Sequence, residues 1–428
     1  MSLRILIAEE ALRDRQGHWF EYCRAARAAF IDELGAQVDI AGHRTMQASV
    51  QEELSATPWF RYTVWDHIYQ SPNALKRYCG TLQHNWRTYR DFDRLVRERG
   101  PYDVLFAPTV VLHHLLAFER LTRKQAEKQV GETVMLIRNN IASYDDAGRR
   151  RYGRTAAAWR WAIQRFRPLL KRNVARFITD SSRLADEYEE LTGIRFGVVP
   201  HPQLLPSAGI EQGTDVGTVK RPIRLFLPGP ARHEKGVDLL LQAVERLQAR
   251  RPDQAVEVVL QWAEPFAMPD GTMLGPDDVQ SNGGVRYHTI RQPLSSSEYL
   301  AELQSADVIV LPYRRCAYFA RISGVAVEAM CLGKPLICTN DTWLSDTAGQ
   351  FGLGIAVKDE SVDELVEALE RVVQNLGALT SEARSKVDEV RQFFSASTFA
   401  ALVAGRGADG DKANRVESRE QRLVTNRA

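Results

Sequence analysis

The amino-acid sequence predicts an α/β protein made of two successive parallel-sheet halves. Short apolar runs recur along the chain, at 4–8, 103–107, 223–227 and 307–311 among others, and helical stretches with one apolar face separate them. Residues 204–222, rich in Gly, Pro, Thr and Ser, interrupt the alternation once and read as a linker. Apolar runs this short, stopped by turn residues, suit strands buried on both faces of a sheet.

The elements follow in order. The strand 4–8 leads through a loop holding Gly17 and His18 into a helix, 19–34, stopped by Gly35, and a second strand, 37–41. Ligands of such βαβ units gather at the loops leaving the carboxyl ends of strands. Gly17 and His18 are therefore candidate substrate contacts, with a turn glycine and a surface histidine as the plain alternative. Residues 43–78 have weak periodicity and many aromatics, Trp59, Phe60, Tyr62, Trp65 and Tyr69, and read as an insertion whose rings pack on the domain or, alternatively, line an acceptor cleft. Leu82, Trp86, Tyr89, Phe92 and Val96 recur at helical spacing before Gly100-Pro101. A strand at 103–107 and a helix to about Arg123 come next. The strand 134–137 exits into Arg138-Asn139-Asn140, where polar side chains suit either a sugar or phosphate contact or a turn.

The tract 149–176 is strongly basic, with Tyr152, Trp159, Trp161 and Phe166 between its arginines and lysines. A helix mixing Arg with Trp can lie on an anionic bilayer surface; a solvated face with its aromatics turned inward is the alternative expectation. Strand 177–180 then gives way to a helix capped by Ser181 or Ser182. A further strand, 196–199, is broken by Pro200-His201-Pro202.

The second half restarts with the strand 223–227 and a loop, Pro228 to Gly236, that carries Gly229, Arg232 and Lys235 ahead of a Leu-rich helix. Strand, glycine-bearing loop and helix form a phosphate-cradling arrangement, with cations at the positive end of the helix dipole. Ser295 and Glu298 make a capping box for the helix 299–304. The stretch 306–337 reads as a buried strand, a loop with Arg314, Arg315, Arg321 and Ser323, a helix from Gly324 to Leu332, and another strand. Glu328 is the one carboxylate in that helix. Burying it demands a hydrogen-bond partner, either a neighbouring arginine or a ligand. A strand at 354–357 and a helix from 362 to about 376 follow, and 406–428 is polar enough to expect disorder.

Composition narrows the class. With 428 residues, 44% hydrophobic and 26% charged, the chain is long enough for two or three globular domains. A net charge of +2 gives no ground for a nucleic-acid partner. The five cysteines, Cys23, Cys79, Cys316, Cys331 and Cys338, lack metal-ligand spacing and fit a reducing cytosol. No apolar run approaches the length of a membrane span, so a cytoplasmic protein is expected, peripheral to the membrane at most.

These residues carry a resemblance. Gly229 with Glu234-Lys235-Gly236, Tyr299 with Leu303 and Ala306-Asp307, and Pro312 through Glu328-Ala-Met-Cys-Leu-Gly-Lys-Pro335 resemble the nucleotide-sugar domain of the family four (group 1) glycosyltransferases. Members of that family have the GT-B fold, two Rossmann-like domains facing across a cleft. The resemblance implies an acceptor-side domain over 1–203, a linker over 204–222, a nucleotide-sugar domain over 223–405 and a disordered tail over 406–428. It implies a retaining transfer from a UDP- or GDP-sugar to a glycan or lipid-linked acceptor, as in surface or exopolysaccharide assembly, with no bound metal or other cofactor. Lys235 would ride on the donor diphosphate with Arg232 beside it, and Glu328 would bind the ribose. Gly229, Tyr299, Arg321 and the backbone of Ser323, Gly324 and Val325 would complete the donor site. Gly17, His18, Arg138 and Asn139 are the acceptor-side candidates.

Three positions depart from the family pattern. Ala320 stands where a second glutamate is usual, Pro230 replaces an arginine, and Arg138-Asn139 occupies the place of a histidine. A Tyr318-x-x-Arg321-x-Ser-Gly324 pattern resembles a bacterial variant in which Arg321 takes over phosphate work. The departures leave room for a weakened GT-B protein that binds nucleotide or a partner transferase without turnover, or for a GT-B sugar-nucleotide epimerase.

Overall fold

The structure, a computed structural model, describes residues 2–15, 18–65, 74–145, 148–202 and 221–405. Gly17, Tyr69, nearly all of the expected linker and the expected tail lie outside the described residues. The first half forms a seven-stranded parallel sheet from β1 (Arg4–Ala8), β2 (Gln37–His43), β3 (Ala56–Phe60), β4 (Tyr102–Ala107), β5 (Val130–Leu136), β8 (Ala175–Thr179) and β9 (Gly197–Val198). Its order is β3-β2-β1-β4-β5-β8-β9, and a hairpin of β6 (Ala142–Tyr144) and β7 (Arg150–Tyr152) stands off it.

The second half repeats the plan. Strands β10 (Ile223–Leu227), β11 (Val256–Gln261), β14 (Val285–Ile290), β15 (Val308–Leu311), β16 (Leu336–Thr339) and β17 (Gly354–Val357) pair in parallel in the order β14-β11-β10-β15-β16-β17. The remaining pair, β12 (Phe266–Ala267) and β13 (Met273–Leu274), is a small hairpin beside them. In both sheets the order reverses beside the first strand of the half, and the crevice at such a switch point opens at the carboxyl ends of the strands.

Each sheet separates two apolar layers, because successive side chains of a strand face opposite ways. Leu6 and Ala8 join one core cluster and Ile5 and Ile7 the other, while Leu225 and Leu227 face away from Phe226. The strands are apolar on both faces for this reason.

Two expectations need correction. Residues 43–78 are not only an insertion: they contain the helix Ala48–Leu54 and the edge strand β3. Within them Phe60 is buried, whereas Tyr62 and Trp65 are exposed. The helix Ala396–Val403, expected with the second domain, packs on the first instead. Phe399 stacks on Phe30 with centroids 5.7 Å apart and meets Tyr22 and Phe106 edge-on. Arg176 donates to the carbonyl of Val403 at 2.7 Å, closing the end of that helix.

Candidate donor site at the carboxyl edge of the second sheet

The loop after β10 turns at Gly229, whose φ of +79° belongs to the left-handed region that favours glycine. A Cβ there would stand 2.5 Å from Lys235 Nζ. Gly229 N–H donates to the side chain of Gln261 at the end of β11, which fixes the turn. Gly236, at φ +67°, ends a short 3₁₀ turn, His233–Lys235, and starts the helix Val237–Arg250. A Cβ on it would collide with Pro312 O at 2.1 Å, so the two βα loops can approach only with glycine here.

Lys235 is buried with its Nζ 3.4 Å from Pro228 O and 5.7 Å from the centre of the Tyr313 ring. Burial, with Arg232 and Arg321 near, lowers its pKa to about 8, against a smaller opposing effect of Glu234. A lysine so poorly compensated favours an anion beside it.

After β15 the chain makes a short helix, Arg315–Tyr318, then reaches the cap Ser323, whose hydroxyl accepts from Ala326 N–H. Tyr313 is hydrogen-bonded to Ser323 and stacks near Tyr318, 4.4 Å between centroids, and Arg321 lies over the Tyr318 ring at 5.0 Å. The helix Gly324–Cys331 therefore begins beside Lys235 and Arg321. Its first amides, on Gly324 and Val325, have no intrahelical acceptor.

Glu328 does not pair with an arginine. Tyr299 donates its hydroxyl to Glu328 Oε2 at 2.7 Å, from the helix Ser296–Ser305 whose start is fixed by the capping box of Ser295 and Glu298. Burial raises the Glu328 pKa to about 7, which the Tyr299 hydrogen bond opposes; Glu21 of the first domain, near enough to repel it, raises it further.

The other arginines of this loop serve the scaffold. Arg314 is buried, forks onto Asp238 at 3.0 and 2.8 Å and reaches Glu360 at 2.7 Å. It clamps the β15 loop to the helix after the lysine loop. Arg315 lies against Asp341 and Asp359. Arg232 sits exposed at the rim, 3.5 Å from Glu234. Lys235 and Arg321 are the foreseen cations at this helix start, with Arg232 near Lys235 at the rim.

Across the cleft, the carboxyl edge of the first sheet is crowded with internally paired charge. Glu10, just past β1, accepts Val64 N–H at 2.6 Å and lies 3.1 Å from both His84 Nε2 and His114 Nε2. These three donor atoms lie within 4.8 Å of one another, close enough for a shared ion. However, His114 Nδ1 accepts Val111 N–H at 3.3 Å, which leaves hydrogen on Nε2, where a metal ligand needs a lone pair. The cluster is that of a carboxylate held between two imidazoles.

Glu9 is buried with its pKa raised to about 7 by that burial, and accepts Ala11 N–H at 3.0 Å. Arg138 lies 3.8 Å over the Tyr22 ring with Nε 3.1 Å from Asp180, and Asn139 contributes its carbonyl to the Tyr188 hydroxyl at 2.8 Å. His18 opens the helix His18–Leu34. Sequence reading missed Asp180, Glu9, Glu10 and Gln261 as members of these edges, and the only signal for them was their place just after or at the end of a strand.

The basic tract 149–176 is largely neutralised. Arg149 and Arg151 pair with Asp145, Arg150 with Glu190, Arg165 with Glu119 and Arg176 with Glu132. Trp159 and Phe166 are buried, and Trp161 is 54% exposed.

Two Rossmann-like sheets with their carboxyl edges toward a shared cleft define the GT-B class. Residues 222–375 match the family model of the group 1 glycosyl transferases. A D-inositol 3-phosphate glycosyltransferase of Corynebacterium aurimucosum is 25% identical over 194 residues, 42% of this chain and 44% of that protein. An Arthrobacter protein of the same description is 27% identical over 174 residues, 40% of this chain and 38% of that protein. The chain thus spans less than half the length of these curated relatives. A glycosyltransferase structure from Rickettsia africae superposes with a TM-score of 0.59 at 11% identity, covering 99% of both chains. Anabaena HepE in complex with UDP-glucose superposes with a TM-score of 0.57 at 13% identity, covering 94% of this chain and 98% of that one. At such identities the likeness is one of fold.

Proposed function

We propose that this protein is a retaining glycosyltransferase that moves a sugar from a UDP- or GDP-sugar to a glycan or lipid-linked acceptor in surface or exopolysaccharide assembly. The observation that carries the reading is Lys235, buried without a carboxylate partner, standing with the open amides of Gly324 and Val325 and with Glu328 one turn further along the same helix. Lys235, Arg321 and those amides would bind the diphosphate, and fixed cations there offset the charge that develops on the leaving group. Glu328, held by Tyr299, would accept hydrogen bonds from the ribose. The donor chemistry agrees with HepE, which was captured with UDP-glucose. The reading needs no resident metal. A lipid-linked acceptor leans on the exposed Trp161 beside the tract 149–176, and a cytoplasmic protein peripheral to the membrane fits that acceptor.

A screen of thermal stability against UDP, GDP, ADP and the corresponding monophosphates tests the donor. Ligand binding to the folded state raises the melting temperature by an amount that grows with the logarithm of ligand concentration over Kd, so UDP or GDP is expected to stand out. A flat response to all of them, together with no nucleotide release from any sugar donor, would sink the proposal.

A second reading is favoured by Ala320, which is 2% exposed and packed into the core cluster of the first domain. A carboxylate has no place there, so a protein that binds nucleotide or a partner transferase without turnover, or an epimerase acting without acceptor, is the competing function. Slow donor hydrolysis abolished by Glu328→Ala excludes the former. Product analysis without acceptor decides the latter.

A further inference from the structure

We propose that Phe319 is a positioning residue of the diphosphate site, held by the first domain so that Arg321 stands ready for the phosphates. The inference rests on the donor-site reading above and concerns how that site is set.

The loop that carries Arg321 is shared between the domains. The backbone of Phe319 is tied into the second: its N–H donates to Arg315 O at 2.9 Å, and its carbonyl accepts Trp343 N–H at 3.1 Å. Its ring is held by the first. Tyr144 of the hairpin β6–β7 stacks on it, 4.2 Å between centroids and tilted by 23°, and the guanidinium of Arg183 lies over it at 4.4 Å. The turn of the hairpin comes as close, since a Cβ built on Gly148, at φ +71°, would be 3.1 Å from Phe319 Cε2. Ala320, the next residue, is buried in the core cluster of the first domain.

The support behind the ring is itself fixed. Glu187, buried on the helix Ser182–Thr192, accepts Ala142 N–H at 3.0 Å and the Tyr144 hydroxyl. Arg183 projects from the first turn of the same helix, so both ring contacts have one base.

Arg321 follows Phe319 by two residues and lies over the Tyr318 ring at 5.0 Å. Burial lowers the Lys235 pKa and raises that of Asp180, and Arg321 is near enough to both to add to the first shift and oppose the second. It therefore stands where the two domains face each other. Ordering a long side chain and its loop on binding costs affinity, and a loop ordered beforehand avoids that cost. Loosening the ring of Phe319 restores it.

The test measures UDP and GDP binding by calorimetry to wild type, Tyr144→Leu, Tyr144→Phe, Phe319→Leu and Arg321→Ala, with each leucine change also made in Arg321→Ala and a melting temperature recorded throughout. Tyr144→Leu and Phe319→Leu are expected to weaken the preferred diphosphate on the order of tenfold. Tyr144→Phe, which keeps the ring, should stay near wild type. In Arg321→Ala the leucine changes should cost nothing more, because the side chain they position is gone. Three results overturn the inference: unchanged affinity in the leucine variants, the same loss in Tyr144→Phe, or the same loss with and without Arg321. An Arg321→Ala variant as tight as wild type overturns it too, and leaves Lys235 and the helix amides as the diphosphate site. A wild-type protein that binds neither diphosphate defeats the donor-site reading itself.

Discussion

The two domains use the same strand order around a first βαβ unit but leave their carboxyl edges in opposite chemical states. In the first domain two buried acids have cationic or imidazole neighbours, Glu10 between two imidazoles and an amide and Asp180 beside Arg138, while Glu9 keeps a buried oxygen without a hydrogen bond. In the second, Lys235 has only a carbonyl at 3.4 Å and the helix start at Gly324 has open amides. The scaffold is common; what differs is the sign of the uncompensated buried charge, a carboxylate at Glu9 on the first edge and an ammonium at Lys235 on the second.

Substitutions can break this contrast, beginning with the largest expected effect. Glu10→Ala removes the centre of a buried network and should cost about 3 kcal/mol of stability by denaturant unfolding, yet leave nucleotide affinity unchanged in the folded fraction. Lys235→Ala should do the reverse, weakening the nucleoside diphosphate by roughly 100-fold with little loss of stability; calorimetry on the two variants exposes a failure of either half.

A pH series sharpens the role of Glu328. Its pKa is raised to about 7 in the free protein, so the folded state binds the extra proton between about 4.5 and 7, and this group's contribution to stability falls as pH rises through that window. Glu328→Gln should therefore match wild type at pH 4 and be more stable by about 3 kcal/mol at pH 8. Ribose hydroxyls donating to the carboxylate favour its charged form, so nucleotide affinity in wild type should rise through pH 7, and the Gln variant should lose that slope. The smallest effect belongs to Arg183→Ala. This arginine of the first domain reaches Asp346 of the second at 2.6 and 2.9 Å and also donates to Asp341 O at 2.9 Å, and a half-exposed set of contacts of that kind contributes about 1 kcal/mol. A loss above 2 kcal/mol in thermal unfolding would mean the domains are coupled more tightly than this contact alone accounts for.

Much of this fold is legible in the sequence. The strands β1, β10 and β17 fall on the apolar runs that predict them, and the capping box of Ser295 and Glu298 starts its helix as the spacing requires. The missed elements have physical reasons. The strand β3 carries Thr57, Pro58 and Trp59 in place of an apolar run, because it is an edge strand with one neighbour. The hairpin β6–β7 has three-residue strands, too short for a period to appear.

The donor site was only half legible. Lys235, Ser323 and Glu328 announce themselves by chemistry within a loop or a helix. The separate duties of Arg314 and Arg321 do not, since only the fold brings Asp238 and Glu360 to the first and the cleft to the second.

The helix Ala396–Val403, returned to the first domain by its contacts with Phe30 and Tyr22, has a mechanical consequence. The chain passes between the domains twice, once after β9 and once before Ala396. A body joined to another by one tether can swing and twist freely; one joined by two is confined largely to rotation about the line through both. The contacts of Gly324 with His201 and of Asp346 with Arg183 span the two domains between these crossings.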